Sequence, residues 1–265
     1  MATARARVLT AAVALPLALA LIRLAPSPLF VVVVVVLAVW ALAEVVWMTD
    51  AGRAGGVLVF LAGTGVLGAA LCTSVGAWAV GLAAVGVLSG ELAWVAVAGG
   101  QRLPRGVTLA ALGALYAGGL FPYFILLRVR PQGVALLTLV LAIVVAADTA
   151  AYFWGSLKGR ARLLVRVSPK KTVEGAVAGL IASVAAGIVV APVLGLGLRA
   201  GRVAGFSAAL GAMAEVGDLA GSAFKRVCGV KDSGWVFPGH GGLLDRATSL
   251  AFAAVLAYYY NRVFL

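Results

Sequence analysis

Residues 222–246 concentrate side chains that can bind phosphate and metal. The stretch holds four basic residues, two aspartates, five glycines and the only histidine of the chain. Lysine and arginine neutralise phosphate charge, carboxylates bind hard divalent cations, and glycines let backbone N–H groups approach an anion. This combination predicts a phosphate-and-metal site. We expect His240, which lies between glycines of the turn, to contact a phosphate or to move a proton.

The acidic residues give the second signal. The chain has only nine, and six of them lie between residues 148 and 245. Glu215 and Asp218 are three residues apart, and Ser222 and Lys225 continue the same face of a helix. Magnesium uses one or two carboxylates together with phosphate oxygens and water, which Asp218 and Asp245 can provide. The residues alone leave a second interpretation open, in which these acids form buried ion pairs that only hold helices together.

A second polar loop repeats this theme. Asp148 closes one apolar segment, and a basic stretch then leads to the sequence Ser-Pro-Lys-Lys-Thr-Val-Glu-Gly at 168–175. Ser168 with Pro169 is a typical helix start, and Glu174 would follow early in that helix, where the helix dipole favours an acid. This structural explanation does not account for the two adjacent lysines.

The composition indicates what kind of protein carries these loops. The chain is 63% hydrophobic and 11% charged, with a mean hydropathy of +1.11. A soluble domain is about 45–50% apolar and about 25% charged. We therefore expect an all-α, polytopic membrane bundle with an N-terminal region 1–130 and a catalytic region 131–265. About nine apolar segments can span a bilayer. They lie near 8–24, 28–48, 56–72, 76–98, 107–127, 133–154, 173–197, 203–224 and 244–263.

The basic residues predict an orientation. With a cytoplasmic N-terminus, 15 of the 21 lysines and arginines lie on the cytoplasmic side, together with both motif loops. The net charge of +12 therefore reflects topology, and we expect the bilayer and a polyanionic nucleotide as partners, with no nucleic acid. A homodimer could form through small residues such as Gly65 and Ala69. Glu44 and Glu91, inside apolar segments, are either structural or close to the membrane interface.

The motifs of residues 145–250 resemble the signature of the phosphatidate cytidylyltransferases, also called CDP-diacylglycerol synthases. The matching elements are Ser222, Lys225-Arg226, Lys231-Asp232, Pro238-Gly-His-Gly-Gly242, Asp245-Arg246, Asp148-x-x-Ala-Tyr152 and Ser168-Pro-x-Lys-Thr-x-Glu-Gly175. Two positions depart from the pattern. Gly221 stands where the family usually has glutamate, and Thr248 where it usually has aspartate.

The resemblance implies magnesium-dependent transfer of CMP from CTP to phosphatidic acid, which gives CDP-diacylglycerol and pyrophosphate. It implies metal binding by Asp218 and Asp245, and Glu215 is the further acid that we expect to contribute. The remaining catalytic candidates are Lys225, Lys231 and His240. Candidates for substrate binding are Asp148, Lys171, Thr172, Glu174, Ser222, Arg226, Gly241, Gly242 and Arg246.

Three alternatives remain open from the sequence. A related CTP-dependent polyprenol or phytol kinase would share the polytopic form and the nucleotide. An ion or solute transporter would explain membrane-embedded acids but not the cationic glycine-rich loop. A non-catalytic paralogue would explain the loss of acids at Gly221 and Thr248. Pyrophosphate release separates the cytidylyltransferase from the other three.

Overall fold

The computed structural model describes residues 4–49, 118–234 and 241–264, together with scattered positions between 57 and 116. The helices are α1 (Ala4–Leu24), α2 (Ser27–Thr49), α3 (Pro122–Arg128), α4 (Gly133–Lys158), α5 (Val173–Val193), α6 (Ala200–Val227) and α7 (Leu244–Phe264). Two short strands, β1 (Arg162–Leu164) and β2 (Ser168–Thr172), lie between α4 and α5. The fold is therefore mostly helical.

Four helices of the described part are long and apolar enough to cross a membrane, namely α2, α4, α5 and α6. They identify an integral membrane protein. Helix α1 has a shorter apolar part, Ala12–Leu24, and α7 forms over the predicted segment near 244–263 without being one of the four. The segment predicted near 76–98 lies outside the described residues, and the segments predicted near 56–72 and 107–127 are described only in part, so the number of nine spans stays a prediction.

The β-hairpin corrects the expectation of an all-α chain. Ser168 and Pro169 begin a strand, which pairs antiparallel with β1, and the helix starts only at Val173. Strand pairing here overrides the local helix-start signal, as tertiary context often does. Thr172 is the actual N-cap, because its hydroxyl oxygen accepts a hydrogen bond from the Gly175 N–H at 3.1 Å.

Small residues let α5 and α6 pack in direct contact. A Cβ atom added to Gly211 would overlap the Ser183 hydroxyl, and one added to Gly187 would overlap the Ser207 hydroxyl. Close approach through small residues is the usual way in which membrane helices gain packing energy. On the outer side of α5, Ile181 is 65% exposed, as expected for a lipid-facing surface.

The bundle has two chemically different ends. At one end, side chains join the α1–α2 turn, the α3–α4 turn and the last part of α7: Arg128 donates to the Ala25 carbonyl at 2.7 Å, and Asn261 donates to the Pro131 carbonyl at 3.1 Å. The hairpin, the start of α5, the end of α6 and the start of α7 lie at the other end, here called the site end. One hydrophobic core contains side chains of the N-terminal region 1–130 together with side chains of the region 131–265.

Candidate active site

Asp245, in the first turn of α7, is held by backbone and side-chain donors. Its Oδ2 accepts hydrogen bonds from the Ser233 N–H at 2.8 Å and the Gly242 N–H at 3.0 Å, while Oδ1 pairs with the Lys225 ammonium. The side chain is only 5% exposed. Gly241 has a φ of +81°, and an added Cβ there would overlap the carboxylate. Glycine is thus required next to the acid.

Lys171, near the end of the hairpin, bridges two acids of α6. Its Nζ lies 2.7 Å from Glu215 Oε1 and 2.7 Å from Asp218 Oδ2. Burial alone would lower the pKa of Lys171, but the charges of Asp218 and Glu215 outweigh burial and raise it. Lys171 is therefore a cation at neutral pH. The contact also shows that Glu215 and Asp218 share a helical face, as their spacing predicts.

A small cleft between α6 and α7 brings the two predicted metal aspartates together. Asp218, Asp245, Lys225 and Ser233 are among its lining residues, while Glu215 is not. Its donor set fits magnesium, which takes one or two carboxylates and completes its shell with phosphate oxygens and water. Within the described residues, no group of three or more His, Cys, Asp or Glu side chains is placed to hold an ion without such help.

Glu44 is the site-end residue whose role the sequence left open. It is 6% exposed in α2 and accepts hydrogen bonds from the Leu243 N–H at 2.7 Å, the Leu244 N–H at 3.0 Å and the Ser233 hydroxyl at 2.8 Å. A carboxylate at a helix N-terminus satisfies free N–H groups and opposes the helix dipole. The only signal in the sequence was an acid inside an apolar segment.

A larger cavity of about 340 Å³ lies beside this cleft, between α4, α5, α6 and β1. Its walls are mostly alanine, glycine, valine and leucine, and its polar part is formed by Asp148 and Glu215. Because Glu215 also pairs with Lys171, the cavity adjoins the charged cluster of the site end. This arrangement suits a molecule with an apolar body and a polar head.

Comparison with known proteins decides the family. The sequence model of the Cytidylyltransferase family matches residues 5–264. The chain belongs to the Cytidylyltransferase family. It is 41% identical over 155 residues to a phosphatidate cytidylyltransferase of Brucella suis, with 58% of this chain and 57% of that protein covered. A phosphatidate cytidylyltransferase of Staphylococcus epidermidis is 36% identical over 145 residues, covering 55% of each chain.

A further relative is the uncharacterized protein YnbB of Escherichia coli. It is 44% identical over 133 residues, which cover 49% of this chain and 44% of YnbB. The chain thus spans about half the length of the curated relatives that it matches. These similarities support a cytidylyltransferase and do not identify its substrate.

The two departures from the cytidylyltransferase pattern lie next to each other. A Cβ atom added to Gly221 would be 3.3 Å from Thr248 Oγ1 and 3.0 Å from the Tyr116 hydroxyl. Thr248 donates to the Leu244 carbonyl at 2.6 Å and is also hydrogen-bonded to Tyr116. In this chain the Tyr116 phenol and the Thr248 hydroxyl therefore lie beside Gly221, and the two positions share one neutral surrounding.

Several predicted substrate-binding residues have other partners. Thr172 is a buried helix cap, and Glu174 accepts hydrogen bonds from the backbone N–H groups of Arg160 and Ala161, both at 3.1 Å. Arg226 donates to the carbonyl oxygens of Val167 and Val230 at 3.4 and 3.2 Å. These contacts join the hairpin to α5 and α6.

The remaining predicted residues divide by exposure. Lys231 and Arg246 are exposed at the site end, Ser222 is half-buried on α6, and Asp148 is exposed beside the large cavity. His240 and the first part of its glycine-rich turn lie outside the described residues.

Proposed function

We propose that this protein catalyses magnesium-dependent transfer of CMP from CTP to phosphatidic acid, giving CDP-diacylglycerol and pyrophosphate. The observation that carries the proposal is the cleft of the site end. Two carboxylates, Asp218 and Asp245, line it together with the Lys225 ammonium, in a membrane protein of the Cytidylyltransferase family. Relatives named phosphatidate cytidylyltransferase at about 40% identity support the choice of lipid.

The reaction joins two anions, so its main requirement is charge neutralisation and alignment. An oxygen of the lipid phosphate attacks the α-phosphorus of CTP, the bond from that phosphorus to the α,β-bridging oxygen breaks, and pyrophosphate leaves. Asp218 and Asp245 would hold magnesium, which neutralises phosphate charge when bound. Lys225, fixed by Asp245, supplies a cation at the cleft, and the exposed Lys231 and Arg246 extend positive charge around it.

The apolar cavity supports a lipid as the acceptor. A diacyl lipid approaching from the bilayer would meet the exposed apolar side chains of α5 and then the cavity walls, with its phosphate near Lys171. Lys171 is already flanked by two acids, so a phosphate there needs a further cation. This need agrees with a magnesium-dependent reaction.

We also propose that the protein lies in the cell inner membrane with the site end on the cytoplasmic side, where CTP is available. The positive-inside bias supports this orientation. Labelling of a cysteine placed at Val165, an exposed residue of the hairpin turn, tests it. A thiol reagent confined to the outside should leave Val165→Cys unlabelled in a background that lacks Cys72 and Cys228.

Pyrophosphate release by purified protein in mixed micelles tests the function. We expect release only when CTP, phosphatidic acid and magnesium are all present. Asp245→Asn, which keeps the size but removes the charge that binds a cation and fixes Lys225, should lower the rate by about 100-fold or more. Ser249→Ala, in the same helix but outside the cleft, is the matched control. Release without the lipid, or full activity of Asp245→Asn, would contradict the proposal.

A further inference from the structure

The carboxylate of Glu44 comes from α2, far in sequence from both polar loops, yet it lies among the groups that hold Asp245. We propose that Glu44, acting through Ser233 and the start of α7, is a positioning residue that keeps the Asp245 carboxylate available to a cation in the cleft. This inference rests on the proposed function, because it assigns Glu44 a role in preparing the same metal site.

The argument begins with the free N–H groups at the start of α7. The first turn of a helix leaves N–H donors without partners in the helix, and an acid nearby normally accepts from them. Asp245 is placed to do this, but the donors at Leu243 and Leu244 are taken by Glu44 at 2.7 and 3.0 Å. Asp245 accepts from the backbone with Oδ2 only, and its Oδ1 pairs with the Lys225 ammonium. Glu44 thus leaves Oδ1 of Asp245 without a backbone donor, so that the partner of this oxygen is a cation.

Ser233 connects the two acids. Its hydroxyl oxygen lies 2.8 Å from Glu44 Oε2 and 3.1 Å from Asp245 Oδ2, and its side chain is almost fully buried. The hydroxyl has one proton, which the shorter distance assigns to Glu44, while the Ser233 N–H donates to Asp245 at 2.8 Å. Ser233 therefore fixes the separation of the two carboxylates, and both Ser233 and Asp245 line the cleft.

Two glycines leave room for Glu44. A Cβ atom added to Gly234 would lie 2.9 Å from Glu44 Oε1, and one added to Gly242 would lie 2.5 Å from Glu44 Oε2. The backbone on both sides of the glycine-rich turn therefore lies so close to the Glu44 carboxylate that a larger side chain at either glycine would overlap it. The charge of Glu44, behind Asp245, also makes the surroundings of the cleft more negative, which favours binding of a cation.

The test compares Glu44→Gln with the wild type by Mn²⁺ binding, followed by electron paramagnetic resonance, and by the kinetics of pyrophosphate release. Glutamine keeps the volume of Glu44 but removes its charge and one acceptor oxygen. Outer partners of metal ligands typically contribute 10- to 100-fold, so we expect Mn²⁺ affinity and kcat each to fall about tenfold, with KM for CTP changed by less than about threefold. Glu44→Asp, which keeps the charge, should recover part of the Mn²⁺ affinity.

The control for a merely structural role is Asn261→Ala. This variant removes the buried hydrogen bond to Pro131 at the opposite end of α7, so it lowers thermal stability without touching the cleft. We expect its Mn²⁺ affinity and its kcat, measured below its unfolding temperature, to equal those of the wild type. If the role of Glu44 were purely structural, Glu44→Gln would likewise lower thermal stability and leave the Mn²⁺ affinity and kcat unchanged.

A folded Glu44→Gln protein whose Mn²⁺ affinity and kcat lie within twofold of the wild type would overturn the inference, as would a wild type that binds no Mn²⁺. If Glu44→Gln does not fold, Mn²⁺ binding by Ser233→Ala tests the inference instead. In that variant Glu44 can still accept hydrogen bonds from the Leu243 and Leu244 N–H groups. Its unchanged Mn²⁺ affinity would then overturn the inference. Absence of pyrophosphate release by the wild type would contradict the proposed function but not the inference about Glu44, since Mn²⁺ binding is measured independently.

Discussion

Two lysines form ion pairs with three acids of the site end. Lys171 pairs with Glu215 and Asp218, and Lys225 pairs with Asp245. Each lysine comes from a different element than its acid, so the pairs lock the hairpin to α6 and α6 to α7. The two acids expected to hold magnesium therefore each have a lysine beside them, which limits repulsion before any phosphate arrives.

The pKa of Lys171 leads to a prediction at this scale. Because the folded protein raises that pKa above its ordinary value of 10.5, the ion pairs contribute fully below the pKa of the unfolded chain and are lost as the pH rises through the folded pKa. The difference in unfolding temperature between wild type and Lys171→Met should be constant between about pH 8 and pH 9 and shrink above about pH 10.5. Lys170→Met, at the exposed neighbouring position, is the control and should show little effect. A difference that disappears below pH 9 would be inconsistent with this account.

At the residue level, sequence reasoning found which side chains share a helical face and paired Asp218 with Asp245, which line one cleft, but it did not find the partners of Glu44. The spacing of Glu215 and Asp218 predicted a shared face, and Lys171 contacts both. Nothing in the spacing could pair Glu44 with Leu243, because 199 positions separate them. The structural roles of Thr172, a helix cap, and of Glu174, an acceptor for backbone N–H groups before β1, were hidden for another reason. A hydroxyl and an acid beside lysines also fit a phosphate site.

The arrangement of the helices depends on the length of their apolar segments and on contacts between small residues. Apolar runs predicted the helices from 133 to 158 and from 173 to 193 within a few residues. The hairpin between them was missed, because strands of three and five residues carry too short a pattern to read. The hairpin matters for the site, since it brings Lys171 to α6.

Two glycines of α6 test the packing of the elements. An alanine Cβ at Gly211 would overlap the Ser183 hydroxyl of α5, whereas one at Gly205 meets no atom within 4 Å. Gly211→Ala should therefore destabilise the protein by about 1–3 kcal/mol through overpacking. Gly205→Ala should be neutral or stabilising by up to about 1 kcal/mol, because alanine favours the helix. Reversible unfolding in mixed detergent micelles measures both, and equal stability of the two variants would argue against the close α5–α6 contact.

At the scale of the whole molecule, the helices bring the polar groups of the candidate site to one end of an apolar bundle. α2 runs from the Ala25 turn to Glu44, and α7 runs from Asp245 back to Asn261 at the opposite end. The positive-inside rule separates the same two ends, with Arg128 and Arg130 opposite the motif loops. The composition predicts this division, because the distribution of apolar and basic residues follows the bilayer. The neutral contact between Tyr116 and Thr248 could be found only from the three-dimensional structure.

The position of the transferred phosphorus tests the central claim most directly. Purified protein is supplied with phosphatidic acid, magnesium and CTP carrying radioactive phosphorus at either the α or the γ position. Cytidylyl transfer predicts that the α label enters the lipid and that the γ label is released as pyrophosphate. In a parallel reaction that contains a polyprenol or phytol instead of phosphatidic acid, entry of the γ label into that alcohol would identify a CTP-dependent kinase instead. Absence of both labels from the lipid fraction, with folded and monodisperse protein, would contradict the account.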